Sequence, residues 1–84
     1  MSDLRLIHGT ADNHGRISAP GANFLPTGGI LTFTAMPEPG YEVDTWSING
    51  VVAPSGDISF NVTAQNQPQY VQVTFRPITS GLLP

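Results

Sequence analysis

Apolar residues recur at every second position in this chain, and that alternation restricts the possible fold more than any other feature of the sequence. Between residues 30 and 35, leucine, phenylalanine and alanine alternate with threonine. The same period of two is found over residues 57–63 and 70–76. A period of two places successive side chains on opposite faces of a β-strand. Each segment is therefore predicted to be a strand with one buried face.

The N-terminal part of the chain carries a weaker version of the pattern. We predict a strand over residues 4–8, with Leu4 and Leu6 facing the core, and a hairpin partner over residues 14–18. The segment 18–29 contains two prolines and three glycines. Such a composition is typical of a surface crossover loop.

Two apolar residues inside that loop, Phe24 and Leu25, are expected to plug one end of the core. We predict that Ile58 faces the core from the strand that contains it, together with Phe60 and Val62.

The only tryptophan follows a spacing that strict alternation does not allow. Val43 and Trp46 are three positions apart, so a regular strand cannot direct both side chains inward. A β-bulge near Asp44 and Thr45 would restore the register and place the indole in the core. Tyr41 is then expected to cover the edge of the indole.

The residues on either side of this strand have the chemistry of turns. Pro37 cannot donate to a strand ladder, and Gly40 is suited to a backbone conformation that other residues resist. Asn49 and Gly50 are the strongest hairpin signal in the chain, because a type I′ turn needs positive φ at both central positions.

These features predict an all-β fold with no substantial helix. We expect a single small domain of about six short strands, β-grasp-like or sandwich-like, over residues 1–77, followed by a tail over residues 78–84. The residues assigned a structural role are Trp46, Tyr41, Gly40, Pro37, Asn49, Gly50, Phe33, Phe60 and Phe75.

Composition excludes several classes of function. Three arginines, no lysine and six acidic residues give a formal net charge of −3, too acidic for a protein that binds a phosphate backbone. The absence of cysteine leaves no disulfide and no thiolate ligand for a metal. Neither a signal peptide nor a membrane-spanning apolar run is recognisable, so we expect synthesis in the cytoplasm and no membrane insertion.

One cluster of residues invites a metal-binding interpretation. His8, Asp12 and His14 fall within seven positions, but a zinc site needs three or four oriented ligands, and the segment between the histidines is a natural turn sequence. No serine lies in a nucleophile elbow. We therefore predict no metal, no cofactor and no enzymatic activity, which excludes a small hydrolase.

Other polar groups have equally simple interpretations. Glu38, Glu42 and Asp44 lack the spaced oxygen ligands of a calcium loop and are expected to form a solvated acidic face. Asn61 begins a formal glycosylation sequon, which we interpret as an outward strand position.

From residue 29 onward the chain resembles the divergent internalin-type B repeat, a small bacterial β module of surface and secreted proteins. The positions that carry the resemblance are Gly29, Thr34, Ala35, Pro37, Gly40, Tyr41, Val43, Trp46, Asn49, Gly50, Val62 and Phe75. The resemblance implies a β-rich module without catalytic residues that serves as a spacer, a stalk or an adhesive unit. It does not identify a ligand.

We therefore expect a non-enzymatic structural or interaction protein. The first hypothesis is a small exterior component of a larger assembly such as a phage particle, because the sequence runs from Met1 through a single module and ends soon afterwards. The alternative is an adhesive or carbohydrate-binding module of a bacterial surface protein. Either would act at a virion or cell exterior, on a protein assembly, a second copy or a surface glycan. The candidate partner contacts are Phe24, Tyr70, Leu82 and Leu83.

Overall fold

A computed structural model describes residues 4–53 and 56–78, and every regular element in these ranges is a β-strand. The strands are β1 (Leu4–Ala11), β2 (Gly15–Ile17), β3 (Gly21–Pro26), β4 (Ile30–Pro37), β5 (Tyr41–Ile48), β6 (Val51–Ala53), β7 (Ser59–Thr63) and β8 (Gln69–Pro77). The predicted all-β class is confirmed, with eight strands in the described ranges. No helix there has the length and apolar character needed to cross a membrane.

The strands form two sheets. The larger sheet has the order β3-β1-β8-β5-β6, and the smaller has the order β2-β4-β7. The ladder between β1 and β8 is parallel, and the other ladders are antiparallel.

Trp46 lies in the core that joins the two sheets. Its indole, which belongs to β5, stacks on Phe60 of β7 with ring centroids 5.0 Å apart and lies 6.4 Å from Phe33 of β4. No part of Trp46 is exposed, and its indole N–H donates to the carbonyl of Asp57 at 2.8 Å. Because these rings come from different sheets, the sandwich-like arrangement is the one adopted.

A β-bulge lies where the spacing of β5 predicts it. The pairing with β8 runs from Val43 directly to Thr45, which leaves Asp44 without a partner in the register. The extra residue lets Val43 and Trp46 both face the core despite their separation by three positions.

The predicted N-terminal hairpin is wrong. The antiparallel partner of β1 is β3, whereas β2 pairs with β4 in the other sheet. The segment 18–29 is therefore not simply a crossover loop, since it contains a six-residue strand. The side-chain amide of Asn23 donates to the carbonyl of Ile7, which joins β3 to β1, and it also lies within hydrogen-bonding range of the carbonyls of Ala19 and Gly21 at the start of β3.

The faces of β1 are also the reverse of those predicted. Ile7 is completely buried, whereas Leu4 is 51% exposed and lies with Leu6 on the outer face of the sheet. Gly9 explains this choice, because a β-carbon there would lie only 2.5 Å from the Phe33 ring. The face of β1 that contains Gly9 is therefore the one buried in the core.

Two further apolar residues lie outside the core against expectation. Ile58 precedes β7 and is 55% exposed, while Phe60 and Val62 are the residues of that strand that pack inward. Phe24 is 59% exposed and does not plug the core, although Leu25 packs against it. Strand alternation explains the difference, because Phe24 and Leu25 are neighbours in β3 and face opposite ways.

Candidate interaction surface

Asp12 has a structural role that accounts for both of its carboxylate oxygens. One accepts a hydrogen bond from the backbone N–H of His14, and the other accepts one from the backbone N–H of Phe75, each at 2.9 Å. The side chain thus closes the turn after β1 and fastens it to β8. Both oxygens are thus hydrogen-bonded to backbone donors of the fold.

The two histidines lie against different tyrosines. The rings of His8 and Tyr70 have centroids 6.0 Å apart, and those of His14 and Tyr41 stack at 4.2 Å. The expectation that Tyr41 covers the edge of Trp46 is wrong, because its ring stacks on His14. Among the residues that the structure describes, no three His, Cys, Asp or Glu side chains come close enough to hold a metal ion.

The acidic side chains near β5 are paired on the protein surface. Arg76 contacts Glu42 at 2.8 Å and Asp44 at 3.6 Å. The hydrogen bond from the guanidinium to the Glu42 carboxylate is the main cause that raises the pKa of Arg76. Glu38 instead lies 3.8 Å from His14. The predicted acidic face is thus partly neutralised by Arg76.

Four side chains, Leu6, His8, Phe24 and Tyr70, form what we call the outer aromatic surface. They lie on the face of the larger sheet that points away from the core, and they come from the neighbouring strands β1, β3 and β8. The register places Phe24 opposite Leu6 and places Tyr70 opposite His8. Side chains opposite one another on one face of a sheet are in contact range.

The outer aromatic surface is accessible and carries no carboxylate, ammonium or guanidinium group. Phe24 is 59% exposed and Tyr70 is 54% exposed, whereas Leu6 and His8 are half-buried between them. Large aromatic side chains exposed together on a rigid sheet are characteristic of surfaces that bind proteins.

The turn between β5 and β6 positions Tyr70. Asn49 and Gly50 have φ angles of 51° and 82°, the positive values that a type I′ turn requires. The backbone N–H of Asn49 donates to the Tyr70 carbonyl, and its side-chain oxygen accepts from the Tyr70 N–H, each at 2.8 Å. Its amide nitrogen also donates to the carbonyl of Pro68 at 3.4 Å. One asparagine therefore supports the hairpin and fixes the aromatic residue.

Near Arg76, at the other end of β8 from Tyr70, the outer face is polar and internally paired. The hydroxyl groups of Thr45 and Thr74 form a hydrogen bond of 2.9 Å across the strands. Beyond them lies the ion pair between Arg76 and Glu42. The outer aromatic surface lies away from these pairs and is suited to an apolar partner. Beside it on the same face lie three further apolar residues of β1 and β3, namely Leu4, Ala22 and Pro26.

The structure brings two of the four predicted partner contacts together, namely Phe24 and Tyr70. Leu82 and Leu83 lie outside the described residues, as does the tail from residue 79 onward. Sequence reasoning missed Leu6, which it assigned to the core, and it weighed His8 only as a metal ligand. The signal that places both on the outer face is Gly9. Because Gly9 packs closely against the core, the residues at odd positions of β1 face inward and those at even positions face outward.

The residues given a structural role lie as follows. Trp46, Phe33 and Phe75 are buried, Phe60, Tyr41 and Pro37 are half-buried, and Gly40 is exposed at a φ of 89°. None of these side chains belongs to the outer aromatic surface. The core and the candidate surface therefore use separate sets of residues.

A family model described as the divergent InlB B-repeat domain matches residues 6–79. The match covers most of the chain, including all of the outer aromatic surface, and the chain belongs to this family. The resemblance inferred from the sequence is thereby confirmed. Neither the curated proteins nor the solved structures contain a significant match.

Proposed function

We propose that this chain is a non-enzymatic module of an exterior surface that binds another protein through the outer aromatic surface. The observation that carries the proposal is the exposure of Phe24 and Tyr70 on one uncharged face of the sheet. Burial of such rings supplies much of the binding free energy of protein interfaces. Both rings are carried by strands that pair with β1, so little ordering of the backbone is needed on binding.

The chemistry of the polar residues supports a non-enzymatic role. A catalytic base must reach a substrate atom, and the oxygens of Asp12 are instead occupied by backbone donors. His8 and His14 lie against tyrosines, and neither has a short hydrogen bond to a carboxylate among the described residues. Hydrolysis by a side-chain nucleophile needs a base held beside it, so these contacts of the described histidines support a role in binding.

Family membership favours a bacterial surface protein as the setting. A B-repeat domain is an adhesion-type module, so the chain would act at the cell exterior and contact a protein there. An exterior position on a phage particle is the second setting, and it uses the same surface in the same way. Both settings need binding without catalysis.

Binding of fluorescently labelled protein to intact bacterial cells and to purified phage particles tests the proposal. The double variant Phe24→Ser, Tyr70→Ser should lose saturable binding, because it removes both exposed rings. The matched control is Ile30→Ser, Ile58→Ser, which changes two apolar residues that are 64% and 55% exposed elsewhere on the molecule. The proposal is wrong if both double variants bind as the wild type does.

A carbohydrate ligand is the second candidate, and a groove at one end of the molecule favours it. The groove is a shallow, open depression of about 450 Å³, lined by Thr27, Gly28, Ala64, Gln65, Asn66 and Gln67. Amide side chains donate and accept hydrogen bonds at once, as sugar hydroxyls require. Loss of glycan binding in Asn66→Ala, Gln67→Ala, with Phe24→Ser, Tyr70→Ser unaffected, would support this candidate over the first.

A further inference from the structure

Strand β3 forms an open edge of the larger sheet. Among the residues that the structure describes, β1 is its one strand neighbour. An edge strand directs alternate backbone N–H and C=O groups away from the sheet, where they form a template for another strand. The six residues of β3 therefore offer a backbone surface as well as side chains.

The other three edges in the described ranges are less suited to strand addition. Strands β2 and β6 contain only three residues each, and β2 includes Arg16. Strand β7 has five residues, and its outward side chains are polar: Ser59, Asn61 and Thr63. Proteins protect their edges with short strands, charges and prolines. Strand β3 is the longest of the four edges and carries no charge, and its one proline, Pro26, is its last residue.

The side chains of β3 match those of an identical strand. The strand contains no charged residue, and its outward side chains Ala22, Phe24 and Pro26 are apolar. Although the whole chain carries a net charge of −3, self-pairing at β3 would bring no like charges into opposition. The edge is thus self-complementary in both backbone and side chains.

We infer that β3 pairs antiparallel with β3 of a second copy of this chain. A two-fold axis perpendicular to the sheet would join the two larger sheets into one continuous sheet of ten strands. Such an axis makes the contact isologous and closed, so association stops at the dimer. The inference stands whether or not the outer aromatic surface binds another protein.

The two-fold axis limits the register. Opposite residues of an antiparallel pair share a face, so in the two registers that pair most of β3, Phe24 lies opposite either the second copy's Phe24 or its Ala22. In both registers the two Phe24 side chains lie within about 5–8 Å of one another on the outer face. The outer aromatic surfaces of the two copies then become neighbours.

A charge-swap experiment tests the pairing. The molar mass of full-length protein is measured by light scattering across a concentration series for wild type, Phe24→Lys, Phe24→Glu and an equimolar mixture of the two variants. The control is Tyr70→Lys, which places the same charge on the outer face but away from the edge. Circular dichroism checks the fold of each protein.

The molar mass of the wild type and of Tyr70→Lys should rise with protein concentration from that of the monomer to twice that value. Each Phe24 variant alone should remain monomeric, because like charges meet at the axis, and the mixture should recover the doubled mass. A monomeric wild type at every concentration, a dimeric Phe24→Lys, or a mixture without recovery would each overturn the pairing. Loss of association in Tyr70→Lys alone would also overturn it by assigning the contact to the outer face.

Discussion

At the scale of single residues, Trp46 is the side chain on which the fold depends most. It is completely buried and stacks on a ring from the opposite sheet. We predict that Trp46→Ala lowers the free energy of unfolding by about 3–5 kcal/mol, because it leaves a large cavity and removes the hydrogen bond from the indole to the Asp57 carbonyl. Thermal or denaturant unfolding measures this loss.

Tyr70→Ala is the matched control for the tryptophan, since it removes an aromatic ring that is 54% exposed. Surface substitutions of this kind change stability by within about 0.5 kcal/mol. Equal losses in the two variants would contradict the assignment of Trp46 to the core.

Asn49 and Gly50 show how one turn serves both the fold and the surface. Gly50→Val places a β-branched residue at a φ of 82° and should lower stability by about 1–3 kcal/mol. Asn49→Gly keeps the turn accessible but removes the side-chain bonds to Tyr70 and Pro68. Chemical denaturation should therefore show a larger loss for Gly50→Val, and an unchanged midpoint in that variant would argue against the strained turn.

At the scale of elements, the sequence predicted strands best where alternation is unbroken. The segments now seen as β4 and β8 alternate cleanly, and their inward residues Phe33 and Val73 are completely buried. The bulge in β5 was also predictable, because Val43 and Trp46 could not otherwise both face the core.

The first three strands were harder to predict because their pairing depends on tertiary contacts. Nothing local shows that β1 pairs with β3 and that β2 pairs with β4 in the other sheet. Which face of β1 is buried depends on the contact between Phe33 and Gly9. These residues are far apart in the sequence, so the contact could not be predicted from it. Since the outer aromatic surface follows from this pairing, only its two exposed rings were predictable as partner contacts.

The close packing of Gly9 against the core leads to a prediction for β1. A β-carbon at Gly9 would lie 2.5 Å from the Phe33 ring and 2.8 Å from Ile17. Gly9→Ala should therefore destabilise the protein by about 1–3 kcal/mol through overpacking. Differential scanning calorimetry would compare it with Gly56→Ala, where an added β-carbon meets no atom within 4 Å. Similar melting temperatures for the two variants would contradict the packing at β1.

At the scale of the whole molecule, stability should not depend on a metal ion. Addition of a chelator should leave the melting temperature unchanged, because the groups nearest to a ligand set serve backbone and ring contacts. His8→Ala should fold normally, and His14→Ala should lose only the stacking on Tyr41. A marked fall in melting temperature with chelator would show that His8, Asp12 and His14 bind a metal after all.

The ion pair between Arg76 and Glu42 should have little effect on the pH dependence of stability near neutral pH. The pKa of Arg76 is raised on folding, so its ion pair contributes below the ordinary guanidinium pKa and is lost only as pH rises through the higher value. The group is solvent-exposed, which screens the interaction. Loss of this pair should therefore not limit stability near neutral pH.

Photocrosslinking at the outer aromatic surface tests the central claim most directly. Tyr70 is replaced by the photoreactive residue p-benzoylphenylalanine, and Ile58 is replaced in the same way as a control on an exposed apolar position. After binding to intact bacterial cells and irradiation, the Tyr70 probe should form a discrete covalent adduct with a protein, and the Ile58 probe should form none. Equal crosslinking at the two positions, or an adduct from Ile58 alone, would contradict the outer aromatic surface as the binding site.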